Sequence, residues 1–139
     1  MIKKTITYTD YNGLERTESF YFNLSKAEVM EMELSADGGM AESIQKIVDA
    51  KDAPAIIRVF KDLVLKAYGV KSDDGRRFMK VKSDGSRYAD DFKETEAYSQ
   101  IFMELATDAK AAADFVNGIV PADLAKKAEE SQKNALPTA

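Results

Sequence analysis

Two stretches of period-two alternation flank Asn12-Gly13, a capped helix start follows directly, and several apolar stripes of helical spacing come after it. Together they predict an α+β fold that is mainly helical. The expected arrangement is an N-terminal antiparallel β-hairpin packed on a bundle of four to five helices.

In the first stretch Ile2, Lys4, Ile6 and Tyr8 share one face, and Lys3, Thr5, Thr7 and Thr9 take the other. In the second, Leu14, Arg16, Glu18, Phe20 and Phe22 alternate with Glu15, Thr17, Ser19 and Tyr21. Alternation rich in β-branched and aromatic residues predicts paired strands. Asn12-Gly13 suits the turn because both residues tolerate positive φ. An isolated hairpin is marginal in water, so its apolar face needs a helical layer to rest on.

Ser25 and Glu28 form an S-x-x-E capping box, and Leu24 with Val29 can close a hydrophobic staple. The first helix is expected from about Lys26 to Leu34, with Ala27, Met30 and Leu34 inward, and the Ser35–Gly39 stretch ends it. A second helix near Met40–Ala50 places Met40, Ile44, Ile47 and Val48 on one stripe. A third starts near Pro54 and ends at Tyr68, with Gly69 as the terminating residue. Its main stripe is Ile56, Phe60, Leu63, Val64 and Ala67; Ile57, Val59 and Leu65 add apolar surface elsewhere, so it reads as the central core helix.

Residues 70–89 change character, with six basic and three acidic side chains on a chain of net charge −4. The run Lys71-Ser72-Asp73-Asp74-Gly75-Arg76-Arg77-Phe78 is echoed by Lys82-Ser83-Asp84-Gly85-Ser86-Arg87-Tyr88. Two Asp-Gly turns around Phe78–Lys82 predict an exposed loop or short hairpin. A fourth helix, from about Thr95 to Ala106, aligns Tyr98, Ile101, Phe102 and Leu105, while Met103 points away. Asp108 caps a fifth, with Ala112, Phe115, Val116 and Ile119 inward and Gly118 and Pro121 closing it. From Asp90 to Asp114 seven acids face two bases, which reads as a solvated acidic surface.

The resulting division is one globular domain over residues 1–121 and a polar, flexible tail over 122–139. Within the domain lie a hairpin at 1–22, a helical body at 25–119 and a basic turn-rich insertion at 70–89.

The chemistry is defined largely by what is missing. The chain of 139 residues contains no histidine and no cysteine. That removes serine- and cysteine-based triads, disulfides and ordinary zinc sites. The acidic balance argues against general nucleic-acid binding. No apolar run reaches the roughly 20 residues needed to span a bilayer, and no apolar stretch follows Lys3-Lys4 to make a signal peptide.

Three clusters could still suggest a site. Glu28, Glu31 and Glu33 resemble an acid/base group, but an exposed acidic helix face offers neither burial nor a charge partner. The Ser-Asp-Asp-Gly-Arg-Arg segment lacks both the ligand spacing of a calcium loop and that of a phosphate cradle. Arg76, Arg77, Lys80, Lys82 and Arg87 could grip an anion or an acidic protein surface, though a solvated pair of turns is the favoured reading. Flexible methionines off the best stripes, Met79 and Met103, suit an adaptable client-binding surface. The candidate protein contacts are therefore Arg76, Arg77, Met79, Met103 and the tail from Leu124, with no catalytic, cofactor or metal residues.

Several motifs carry a family resemblance. They are Tyr11-Asn12-Gly13-Leu14-Glu15-Arg16-Thr17-Glu18 leading into Phe20-Tyr21-Phe22-Asn23-Leu24-Ser25-Lys26-Ala27-Glu28, then Asp74-Gly75-Arg76-Arg77-Phe78 and Thr95-Glu96-Ala97-Tyr98. Phe102-Met103-Glu104-Leu105-Ala106 and Phe115-Val116-Asn117-Gly118-Ile119-Val120-Pro121 complete the set. Over about residues 1–121 the chain resembles tail assembly chaperones of long-tailed, siphovirus-type bacteriophages of Gram-positive hosts.

The resemblance implies a non-enzymatic factor without cofactors, acting in the cytoplasm of the infected host and absent from the mature virion. Its implied partners are the tape measure protein, which it coats, and the tail tube protein, which it recruits; neither nucleic acid nor membrane is implied. Self-association is left open. It also implies that this chain is the shorter of two lengths made by ribosomal frameshifting. The alternative is a structural virion protein such as a tail completion or connector subunit.

Overall fold

The computed structural model describes residues 1–35 and 53–121. The predicted second helix and the tail from Leu124 lie outside them.

Strands β1 (Ile2–Thr9) and β2 (Glu15–Phe22) pair antiparallel over eight unbroken positions, from Ile2 opposite Phe22 to Thr9 opposite Glu15. The turn between them rests on Asp10 and Gly13. Gly13 donates its N–H to Asp10 O at 3.0 Å and sits at φ 80°. The Asp10 carboxylate accepts the N–H groups of Asn12 (2.8 Å) and Leu14 (3.0 Å) and pairs with Arg16 Nε at 2.6 Å. Asp10 therefore shapes a loop that ends in a left-handed glycine. Thr5 with Ser19 and Thr7 with Thr17 bond across the exposed face of the hairpin.

Helix α1 (Lys26–Ser35) begins as its capping box predicts. Ser25 N–H donates to Glu28 Oε1 at 2.9 Å, and Glu28 N–H donates to Ser25 Oγ at 3.1 Å. Its inward face differs from the expectation. Val29 is buried and Met32 packs on the core, whereas Ala27 and Met30 are exposed. Leu24, fully buried just before the cap, donates its N–H to Ile119 O at 2.8 Å. That anchor fixes the helix's rotation and selects the Leu24–Val29 stripe over the Ala27–Met30 one.

Helix α2 (Ala53–Ala67) buries Leu63, Val64 and Ala67 and runs without a turn into β3 (Tyr68–Lys71). The helix does not end in the expected way. Gly69 does not terminate the helix; it is a buried strand residue opposite Tyr21. A Cβ there would lie 2.6 Å from the Phe78 ring and 2.9 Å from Met79 O, so close packing demands the glycine.

β4 (Phe78–Met79) returns antiparallel to β3, giving a four-stranded sheet in the order β1-β2-β3-β4. Residues 70–89 thus contain part of the sheet's second half as well as its turns. Three helices follow. A short helix α3 (Tyr88–Phe92), absent from the sequence reading, precedes α4 (Glu96–Thr107) and α5 (Ala109–Ile119).

Thr95 caps α4 by accepting from Tyr98 N–H, and Asp108 caps α5 by accepting from Lys110 and Ala111 N–H. Ala97, Ile101 and Leu105 of α4 and Ala112, Phe115 and Ile119 of α5 are buried. Gly118 lies inside α5 and does not close it: the Ile2 side chain occupies the space a Cβ would need.

α4 and α5 pack against each other and against β1, and α2 packs on α4. The core between sheet and helices is aromatic. Phe22 meets Phe92, Phe115 and Tyr68 edge-on, and Tyr68 stacks on Phe92 with centroids 4.1 Å apart. Phe92, at 3% exposure, is what holds α3 down.

Candidate protein-binding surface

The basic segment resolves into two kinds of cation. The carboxylate of Asp74 accepts from Ser72 Oγ at 2.7 Å and from Arg76 N–H at 3.0 Å, and Arg77 N–H donates to Ser72 Oγ at 3.0 Å. These bonds close the β3–β4 turn through its backbone. They leave the Arg76 and Arg77 side chains exposed, and among the described residues neither has an ion-pair partner. Lys71 lies over the Tyr21 ring, 4.5 Å from its centroid.

Lys80 and Lys82 are spent internally, contrary to their grouping with Arg76 and Arg77. Lys80 Nζ donates to Asn23 O (2.9 Å), Glu28 Oε2 (3.1 Å) and Lys66 O (2.5 Å). Three acceptors match the three ammonium hydrogens. One side chain thereby joins the end of β2, the first turn of α1 and the last turn of α2. Burial pushes the Lys80 ammonium below the usual lysine range, and the facing Glu28 partly offsets that. Burial would raise Glu28, but the Ser25 N–H and the Lys80 ammonium outweigh it and hold the carboxyl below the ordinary range. Lys82 pairs with Asp91, which raises its pKa.

Arg87 stays exposed at the start of α3, where its N–H donates to Asp90 Oδ2 at 3.2 Å. With Asp62, Leu65, Lys66, Ala89, Asp90 and Lys93 it lines an open groove of about 450 Å³ between α2 and α3. The groove mixes three cations with two carboxylates. Among the described residues, no three acidic side chains come together in a way that could hold a metal ion, and no helix is long and apolar enough to cross a membrane.

The singled-out methionines part company. Met103 is 57% exposed on α4, as expected, whereas Met79 is half-buried in β4. Met30, read from sequence as a core residue, is equally exposed at 57%. The structure thus joins Arg76, Arg77 and Met79 on one hairpin and places Met103 on a separate helix. Tyr11, at the hairpin tip, is 76% exposed, and its hydroxyl donates to Glu96 Oε1 at 3.0 Å. What these singled-out residues offer is apolar and basic contact area.

No curated protein and no solved structure matches the chain. A family model does match, over residues 1–139, and its description is phage tail assembly chaperone. With the whole length covered, the chain belongs to the phage tail assembly chaperone family.

Proposed function

We propose that this chaperone holds the tape measure protein of a long-tailed, siphovirus-type phage and brings tail tube subunits to it, in the cytoplasm of a Gram-positive host. It works by contact alone, without catalysis, and leaves before the virion is complete. The observation that carries this reading is the family membership of the whole chain. Exposed, flexible methionines at positions 30 and 103 support it, because they can repack against varied helical clients. Arg76, Arg77 and Met79 form a second contact on the β3–β4 hairpin, with Leu124 belonging to a further one.

The test is co-expression with the tape measure and tail tube proteins, followed by pull-down and by mass spectrometry of purified virions. Capture of the tape measure protein, with no copies in the virion, is expected. Capture of neither protein overturns the reading, and stable presence in virions replaces it with a structural tail protein.

A further inference from the structure

β1 is an edge strand: among the described residues its one sheet neighbour is β2. In an antiparallel pair, hydrogen-bonded positions alternate. Asp10 N–H donates to Leu14 O at 2.8 Å, which places the even-numbered residues of β1 on the β2 side. The opposite edge of β2 agrees. Odd-numbered Asn23 donates its N–H to Ala67 O, away from β1. The N–H and C=O groups of Lys3, Thr5, Thr7 and Thr9 therefore point out of the open edge, and all four side chains are exposed.

Edge strands usually carry protection: a bulge, a proline, charged side chains (lysine above all) or short length. The eight-residue register of β1 has no bulge, and Thr5 to Thr9 contains neither charge nor proline. Its two lysines stand together at one end.

We propose that β1 pairs with β1 of a second copy of this chain, antiparallel about a two-fold axis at Ile6, extending the sheet across a homodimer. In that register Thr5 faces Thr7 of the second copy, and Lys3 faces its Thr9. The outward-pointing odd residues meet one another, so every unspent backbone group from Lys3 to Thr9 finds a partner. No lysine faces a lysine. Because Thr9 pairs with Glu15 on the same face, Lys3 of each copy lies two strands from Glu15 of the other, about 10 Å between backbones and within reach of a lysine side chain. The contact is isologous, so this ion pair occurs twice.

Sedimentation of the full chain over a concentration series tests the pairing, using Thr7→Pro, Lys3→Glu and Lys3→Glu/Glu15→Lys variants. Proline at position 7 removes an N–H that faces outward, so it blocks the new pairing and leaves the β1–β2 ladder intact. The wild type is expected to dimerise, and Thr7→Pro to stay monomeric with an unchanged circular dichroism spectrum. Lys3→Glu should weaken the dimer roughly tenfold, with the double charge swap restoring it. A wild type that remains monomeric throughout overturns the proposal, as does a dimer indifferent to Thr7→Pro. If Thr7→Pro does not fold, the charge swap decides: failure of the double variant to restore the dimer overturns the proposal. Loss of tape measure capture in Thr7→Pro, with a monomeric wild type, assigns the edge to the client instead and equally overturns it.

Discussion

Lys80 Nζ and Glu28 Oε2 lie 3.1 Å apart, joining the strand after the basic turn to the capping residue of α1. Both side chains are largely covered, and the ammonium also donates to two main-chain carbonyls at the ends of β2 and α2. Replacing Lys80 by Met keeps the aliphatic stem but strands those acceptors. An unsatisfied buried acceptor costs about 1–3 kcal/mol. Lys80→Met is therefore expected to lower unfolding free energy by roughly 2 kcal/mol in urea titrations. Arg76→Met, on an exposed turn, is expected to stay within about 0.5 kcal/mol of wild type.

Acid should weaken the fold in a definite window. The Arg16 hydrogen bond lowers the Asp10 carboxyl, and hydrogen bonds from Ser72 and Ser86 lower Asp74 and Asp84. Glu28 is lowered as well, its hydrogen bonds overcoming burial. A carboxyl depressed in the folded state contributes stability above its unfolded pKa and loses it as pH falls through the folded value. Urea midpoints are expected to be level from pH 7 to about 5 and to drop below that. Glu28→Gln should shallow the drop. A midpoint that rises on acidification would sink this reading.

Gly118 offers a sign reversal. Within a helix, Gly→Ala ordinarily gains about 1 kcal/mol. Here Ile2 fills the site, and overpacking costs about 1–3 kcal/mol. Gly118→Ala is expected to destabilise the wild type yet stabilise an Ile2→Ala background, as read from thermal or urea midpoints. The same sign in both backgrounds would mean that Ile2 does not press on this helix.

Met30→Glu and Met103→Glu address the binding surface. Both side chains are exposed, so each variant should keep wild-type stability within about 0.5 kcal/mol. Client capture should fall for the pair together, because a charge in an apolar contact is poorly tolerated. Unchanged capture would remove both methionines from the interface.

What could be read from the sequence was local. The Ile2–Thr9 alternation, the Ser25–Glu28 box and the Asp108 cap involve neighbours within a few residues, and each appears in place. What escaped depends on partners far along the chain. Tyr68-Gly69-Val70-Lys71 looks like a helix end until Tyr21 pairs with Gly69. Five-residue α3 has too little length to show a period, and Phe92 is held by rings far along the chain, those of Phe20, Phe22 and Tyr68. Lys80 reads as one more loop cation, and no local spacing announces its partners at Asn23, Glu28 and Lys66. On the surface, Met103 was visible as off-stripe, but Met30 was hidden because α1 carries two competing stripes.

If this chain shelters a long helical client, the soluble yield of the tape measure protein should depend on it. Expressing that protein alone, with the wild-type chain and with the Met30→Glu/Met103→Glu variant, and comparing soluble fractions, measures this dependence. Soluble tape measure protein is expected to rise with the wild type and to fall back with the variant. An equal soluble fraction in all three would contradict chaperoning by this chain.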